Sequence, residues 1–118
     1  MLNTIKSLIF KPKLSQEALE AYWYKLPQKI EVEWFRDGKY IIGRIKADNH
    51  EFMTQALSAA EFVEMVNDAL FAVYEIPREY FNILEPRKFI PDEEQFKRLN
   101  NLAIEKSNLD FQKVKALA

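Results

Sequence analysis

The sequence contains no cysteine, only two glycines and a single histidine among its 118 residues. The lack of cysteine excludes disulfides, zinc–thiolate sites and thiol nucleophiles, and it is compatible with a reducing cytoplasm. Two glycines are too few for a P-loop or a dinucleotide-binding fingerprint. His50 lies in a polar stretch that lacks the nucleophile elbow of a Ser-His-Asp hydrolase. We therefore predict a protein that is not an enzyme and has no metal site and no cofactor.

Long apolar runs are also missing. No uncharged run approaches the ~20 residues of a membrane-spanning helix, and the apolar start over residues 1–10 lacks the small-residue cleavage site of a signal peptide. We therefore expect a cytoplasmic protein without a membrane segment. Large side chains are abundant instead: nine Phe, five Tyr and two Trp, with 48% hydrophobic residues overall. They suffice for the core of one small domain.

The patterning divides the chain into a lead-in over residues 1–29, a core over 30–77 and an extension over 78–118. In the lead-in, Ser15 is placed to cap a short helix from Gln16 to about Lys25. Pro27 ends that helix, because the residue before a proline avoids helical dihedral angles.

The core segment shows a β-β-β-α pattern. Alternating residues begin at Ile30, Asp37-Gly38 is a strong hairpin signal, and residues 40–47 form the return strand. A polar turn over 48–51 precedes a third strand over 52–57. Ser58-Ala59-Ala60-Glu61 is a capping-box sequence that opens an amphipathic helix, which Pro77 closes. The predicted fold is α+β: a three-stranded antiparallel sheet with a helix packed on one face.

The extension predicts a short strand, a helix, a turn and a second helix. Residues 87–90 lie between two prolines and read as extended, Asp92 is placed to cap the first helix, and residues 110–118 read as the second. Two roles stay open for this segment. One is structural, in which the segment packs on the core or mediates dimerisation. The other is DNA binding.

Charge is uneven along the chain. Residues 30–77 carry a net charge of −5, against +3 for residues 1–29 and +1 for residues 78–118. An acidic middle segment favours a basic partner, although a solvated acidic face is the plain alternative.

The order of short motifs in the middle segment resembles the HicB antitoxin family. The resemblance rests on Asp37-Gly38-Lys39-Tyr40, then Thr54-Gln55-Ala56, then Ser58-Ala59-Ala60-Glu61 leading into Asn67-Asp68-Ala69, and it covers roughly residues 30–76. Two departures stand out. Residues 46–51 replace the Pro-Asp-Leu-Pro-Gly-like turn of the family, and Ala56 replaces its glycine after Thr-Gln.

The resemblance implies a partial ribonuclease-H-like fold without catalysis, which binds and neutralises a small basic RNA-cleaving toxin of the HicA type. Together with the charge distribution, it makes the carboxylates of the middle segment candidates for the toxin-binding surface: Glu31, Glu33, Asp37, Asp48 and Glu51.

Many members of that family also carry a C-terminal DNA-binding module and repress their own promoter. The extension resembles a ribbon-helix-helix, in which two chains pair their strands in the DNA major groove. This likeness implies a homodimer or higher homo-oligomer. It makes Arg87 and Lys88 candidates for contacting operator DNA, and residues 107–110 candidates for a phosphate contact.

Three other hypotheses remain at this stage. The chain is a DNA-binding repressor with or without a toxin, a residual nuclease that uses the strand carboxylates, or an orphan domain of this fold with a structural or dimerisation role.

Overall fold

The structure, a computed structural model, describes residues 15–112. The helices are α1 (Gln16–Lys25), α2 (Ala59–Val73) and α3 (Glu93–Asn100), and the strands are β1 (Lys29–Asp37), β2 (Tyr40–Ala47), β3 (His50–Ala56) and β4 (Lys106–Gln112). Two short 3₁₀ helices, Arg78–Tyr80 and Glu85–Arg87, lie between α2 and α3. No helix of residues 15–112 is long and apolar enough to cross a membrane.

The four strands form one antiparallel sheet in the order β3-β2-β1-β4. Asp37 pairs with Tyr40 and Ala47 pairs with His50, so a two-residue turn closes each hairpin. The first turn residue is left-handed in both cases, with φ 61° at Gly38 and φ 52° at Asp48. Glycine and aspartate tolerate this conformation, which suits the twist of two-residue hairpins.

Helix α2 covers one face of the sheet, which we call the inner face. Ile30, Val32 and Trp34 point to this side and are almost completely buried, because alternate residues of a strand face the same way. The helix contributes an apolar stripe that includes Phe62, Val66 and Leu70. Most of the large side chains noted in the sequence therefore meet in one core.

The segment between α2 and α3 is tied to the core by polar side chains. The Asn67 amide bonds both backbone groups of Phe89, donating to its carbonyl at 2.8 Å and accepting from its N–H at 2.6 Å. These two bonds mimic a strand pairing and hold the segment against α2.

Most local predictions for residues 15–76 are confirmed. Ser15 caps α1 by accepting from the Ala18 N–H at 2.9 Å, and Ser58 caps α2 by accepting from the Glu61 N–H at 3.2 Å. Strand β2 has the predicted bounds, whereas β3 begins at His50 because the second turn needs only two residues. Residues 1–14 of the lead-in lie outside the described part.

The sheet has four strands and not the predicted three. The predicted extension supplies the fourth, since residues 106–112 pair antiparallel with β1 and do not open a second helix. The alternation of Ser107, Leu109 and Phe111 toward the core explains why. Residues 113–118 of the predicted helix lie outside the described part.

The predicted strand at residues 87–90 is also wrong. Arg87 ends a 3₁₀ helix, and residues 88–92 run without a strand partner until Asp92 caps α3 with a full capping box to Gln95. The prolines that bracket this stretch lock φ and remove N–H donors, which suits an irregular segment as well as a strand. The described part of the extension therefore lacks the strand-helix-helix order of a ribbon-helix-helix.

Candidate functional site

The second face of the sheet, which we call the outer face, is not covered by the helices of the described chain. Phe35 and Met53 point to this side and stay 43% and 56% exposed. Monomeric sheets usually place polar side chains on a solvent-facing surface, so a phenylalanine and a methionine here mark it as a candidate contact surface.

The strand register arranges the outer-face side chains in three rows that cross the sheet. Each row is given in the order β4, β1, β2, β3. The row nearest the Gly38 turn contains Lys106, Phe35, Ile42 and Gln55; the middle row contains Asn108, Glu33, Arg44 and Met53; the row nearest the Asp48 turn contains Asp110, Glu31, Lys46 and Glu51. The two ends of the face therefore differ in charge.

The row nearest the Asp48 turn forms an acidic end, which we define as Glu31, Asp48, Glu51 and Asp110 together with Lys29 and Lys46. Lys29 lies 3.9 Å from Glu31, and Glu51 lies 3.3 Å from Arg44 of the middle row. All these ion-pair side chains are about half exposed, so the pairs contribute little to stability. Four carboxylates against two ammonium groups leave this end negative.

Asp48 is held at the rim of the acidic end by Tyr74, the residue that follows α2. The Tyr74 hydroxyl donates to Asp48 Oδ2 at 3.0 Å, and the His50 ring packs edge-on against the Tyr74 ring at 5.0 Å. Burial raises the pKa of the Tyr74 hydroxyl, and the hydrogen bond to the Asp48 carboxylate raises it further. Tyr74 therefore stays protonated and keeps the carboxylate in place.

Three of the five predicted toxin-binding carboxylates share the outer face. Glu31 and Glu51 lie at the acidic end, Glu33 lies in the middle row, and Asp48 stands beside them at the turn. Asp37 is separate, since it pairs with Tyr40 at the opposite end of the β1–β2 hairpin.

A groove opens at the other end of the outer face, toward β4. It encloses about 780 Å³. We call it the basic groove, and it is lined by Glu33, Trp34, Phe35, Arg44, Arg98, Lys106, Ser107 and Asn108. Arg98 projects from α3 and donates to Ser107 Oγ, so this cation is fixed at the edge of the sheet.

Arg87, a predicted DNA contact, is buried and only 1% exposed. Its guanidinium donates to the carbonyls of Leu26 at 2.7 Å and Pro27 at 3.3 Å, and it lies 5.3 Å from the centre of the Trp23 ring. Burial lowers the pKa of Arg87, and Tyr24 partly offsets that shift. Arg87 thus joins the start of the sheet to the segment after α2, and Lys88 beside it is half-buried.

Sequence reasoning missed four residues that the structure brings together around the basic groove: Phe35, Arg44 and Lys106 of the outer face, and Arg98 of α3. The alternation of β1 was a usable signal for Phe35, because it places this side chain on the face of the sheet away from the buried Trp34. Arg98 and Lys106 could not be predicted in this way, because their position depends on the pairing of β4 with β1.

Within residues 15–112, no group of three His, Cys, Asp or Glu side chains is placed to hold a metal ion. No protein-family model, curated protein or solved structure matches the chain.

Proposed function

We propose that this chain is a non-catalytic, HicB-like antitoxin of the cytoplasm, which binds a small basic RNA-cleaving toxin on the outer face of its sheet. The observation that carries the proposal is the uncovered sheet face, where the exposed apolar side chains of Phe35 and Met53 share one surface with the carboxylates of Glu31, Glu33 and Glu51. Protein interfaces combine apolar anchors of this kind with a polar rim.

The charge of the acidic end supports a basic partner. Glu31 and Glu51 are exposed, and Asp48 is held beside them by Tyr74, so a cationic surface meets carboxylates already in place. Complementary charge of this kind mainly speeds association and selects the partner. Met53 adds a flexible apolar contact.

The motifs behind the HicB resemblance occupy connected positions, which also supports the proposal. The Asp37-Gly38 motif forms the β1–β2 turn, Thr54-Gln55-Ala56 ends β3, and the Ser58 motif caps α2. Asn67 of the last motif anchors the segment after the helix.

The test is a search for a small basic ribonuclease encoded next to this chain, followed by binding measurements on that protein with a charge-reversed variant. Glu31→Lys/Glu51→Lys reverses the acidic end, and we expect the Kd to rise at least tenfold and rescue of toxin-arrested growth to be lost. Glu64→Lys/Glu79→Lys is the matched control, with the same charge change at exposed positions outside the sheet. Equal binding by both variants, or no complex at all, would refute the proposal.

Operator binding through Arg87 is not part of the proposal, because that side chain is buried. Self-association remains a prediction. Strands β3 and β4 are the sheet edges in the described chain, and unpaired edges can add another strand. Light scattering of the purified full chain would measure its mass in solution, and a monomer at micromolar concentration would contradict the predicted homo-oligomer.

A further inference from the structure

We propose that the basic groove binds a short segment of single-stranded nucleic acid, with its backbone phosphates against Arg44, Arg98 and Lys106 and a base stacked on Phe35. This inference uses the end of the outer face opposite the acidic end, and it does not depend on the toxin.

The charges of the groove favour a polyanion. Three cationic side chains line the groove with one carboxylate, that of Glu33, and Arg44 also pairs with Glu51 at 3.3 Å beside the groove. Arg98 is held by its hydrogen bond to Ser107 Oγ, so the nucleic acid meets a cation that is already positioned. Lys106 lies next to Phe35 across the β1–β4 pairing, which places a flexible cation beside the ring.

Phe35 provides the surface on which a base can stack. Its side chain is 43% exposed. Its two cross-strand neighbours on the outer face are Lys106 on β4 and Ile42 on β2. Proteins that bind single strands combine a basic groove with exposed aromatic rings, and each stacked base contributes about 1–3 kcal/mol. A duplex keeps its base faces covered, so the ring selects an unpaired strand.

One further polar group of the groove suits a base. The Glu33 carboxylate lines the groove and can accept a hydrogen bond from a base amino group. A peptide of acidic side chains offers no planar ring to stack on Phe35.

The experiment is fluorescence anisotropy of the full chain with labelled single-stranded RNA and DNA 12-mers of mixed sequence. We expect binding that weakens as salt rises from 50 to 200 mM, because each phosphate contact releases counterions. Phe35→Ala and Lys106→Glu should each raise the Kd about tenfold. Tyr24→Ala and Lys97→Glu are matched controls at exposed positions outside the groove, and they should stay within twofold of the original chain.

Thermal unfolding of every variant checks that it folds, and Lys106→Gln replaces Lys106→Glu if the reversed charge prevents folding. Competition by unlabelled duplex and by poly-glutamate completes the test, and a preference for RNA over DNA or the reverse identifies the natural strand. No binding below about 100 µM, unchanged affinity in the Phe35 and Lys106 variants, or equal displacement by poly-glutamate would overturn the proposal.

Discussion

At the residue scale, one glycine sets how closely α2 approaches the sheet. Gly43 lies on the inner face of β2 directly beneath Phe62. A Cβ at this position would come within 2.5 Å of two carbons of the Phe62 ring, far inside normal contact. The missing side chain therefore makes room for the ring that fills the middle of the core.

We expect Gly43→Ala to lower the free energy of unfolding by about 1–3 kcal/mol, the usual cost of overpacking a core. Urea denaturation measures it. Phe62→Leu removes ring volume, so the double variant Gly43→Ala/Phe62→Leu should lose less stability than the sum of the two single changes. Additive losses would show that the ring and residue 43 do not compete for space.

The buried Tyr74 hydroxyl makes the stability of the protein depend on pH in the alkaline range. A tyrosine of the unfolded chain ionises near pH 10, whereas burial and Asp48 raise the pKa of Tyr74 in the folded protein. Above about pH 10 the folded state therefore binds more protons than the unfolded one. The contribution of the protonated Tyr74 hydroxyl to stability is complete below that pH and is lost as the pH rises further.

Denaturant titrations from pH 8 to 11 test this expectation with Tyr74→Phe. At pH 8 the variant should lose about 1 kcal/mol, the value of a typical hydrogen bond. Above pH 10 its stability should fall less steeply than that of the original chain. Parallel curves for the two proteins would show that Tyr74 makes no contribution to the alkaline loss.

At the scale of elements, one side chain of α2 bonds the backbone of the segment that follows it. Asn67 satisfies the N–H and the carbonyl of Phe89, whose ring is fully buried. We expect Asn67→Ala to destabilise the protein by about 1–3 kcal/mol, because both backbone groups lose their partner. Asn82→Ala, at an exposed position, is the control and should change stability by less than about 0.5 kcal/mol.

Local signals were enough to predict α1, the β1–β2 hairpin and α2. Each depends on residues within a few positions of one another: a capping serine, an Asp-Gly turn, or alternation along one strand. Strand β4 was misread because Phe111 and Val114 also fit helical spacing, and its partner residues in β1 lie about 80 positions earlier in the chain. Local patterning does not contain that pairing.

The candidate site was predictable to the same extent. Glu31 and Glu33 were found because strand alternation places both on the solvent side. The sequence showed neither the cross-strand position of Lys46 beside Glu31 nor the basic groove, since both depend on strand register. Arg87 was misplaced because the likeness to a ribbon-helix-helix put it on a strand that reads DNA, whereas the fold buries it against carbonyl oxygens.

At the scale of the whole molecule, β1 is the strand on which the sheet depends. It pairs with β2 on one side and with β4 on the other, and Leu109 of β4 is buried in the common core. Residues near both ends of the described chain are therefore needed to complete a single sheet.

We expect Leu109→Ala to lower the free energy of unfolding by about 2–5 kcal/mol, as for other buried leucines. We also expect it to affect the β4 side of the sheet more than the β3 side. In hydrogen exchange, the amides shared by β1 and β4 should lose more protection than those shared by β2 and β3. Asp110→Ala, its exposed neighbour, should leave both sets close to their original values. Uniform loss across the sheet would mean that it opens as one unit.

The position of β1 also has a consequence during protein synthesis. The β1–β2–β3 meander is complete by Ala56, but one side of β1 stays unpaired until β4 has left the ribosome. The stretch of about 50 residues between β3 and β4 takes roughly 2–10 s to translate at ~5–20 residues per second. For that time each nascent chain presents an open hydrogen-bonding edge, so neighbouring nascent chains on a polysome compete with β4 for the same strand.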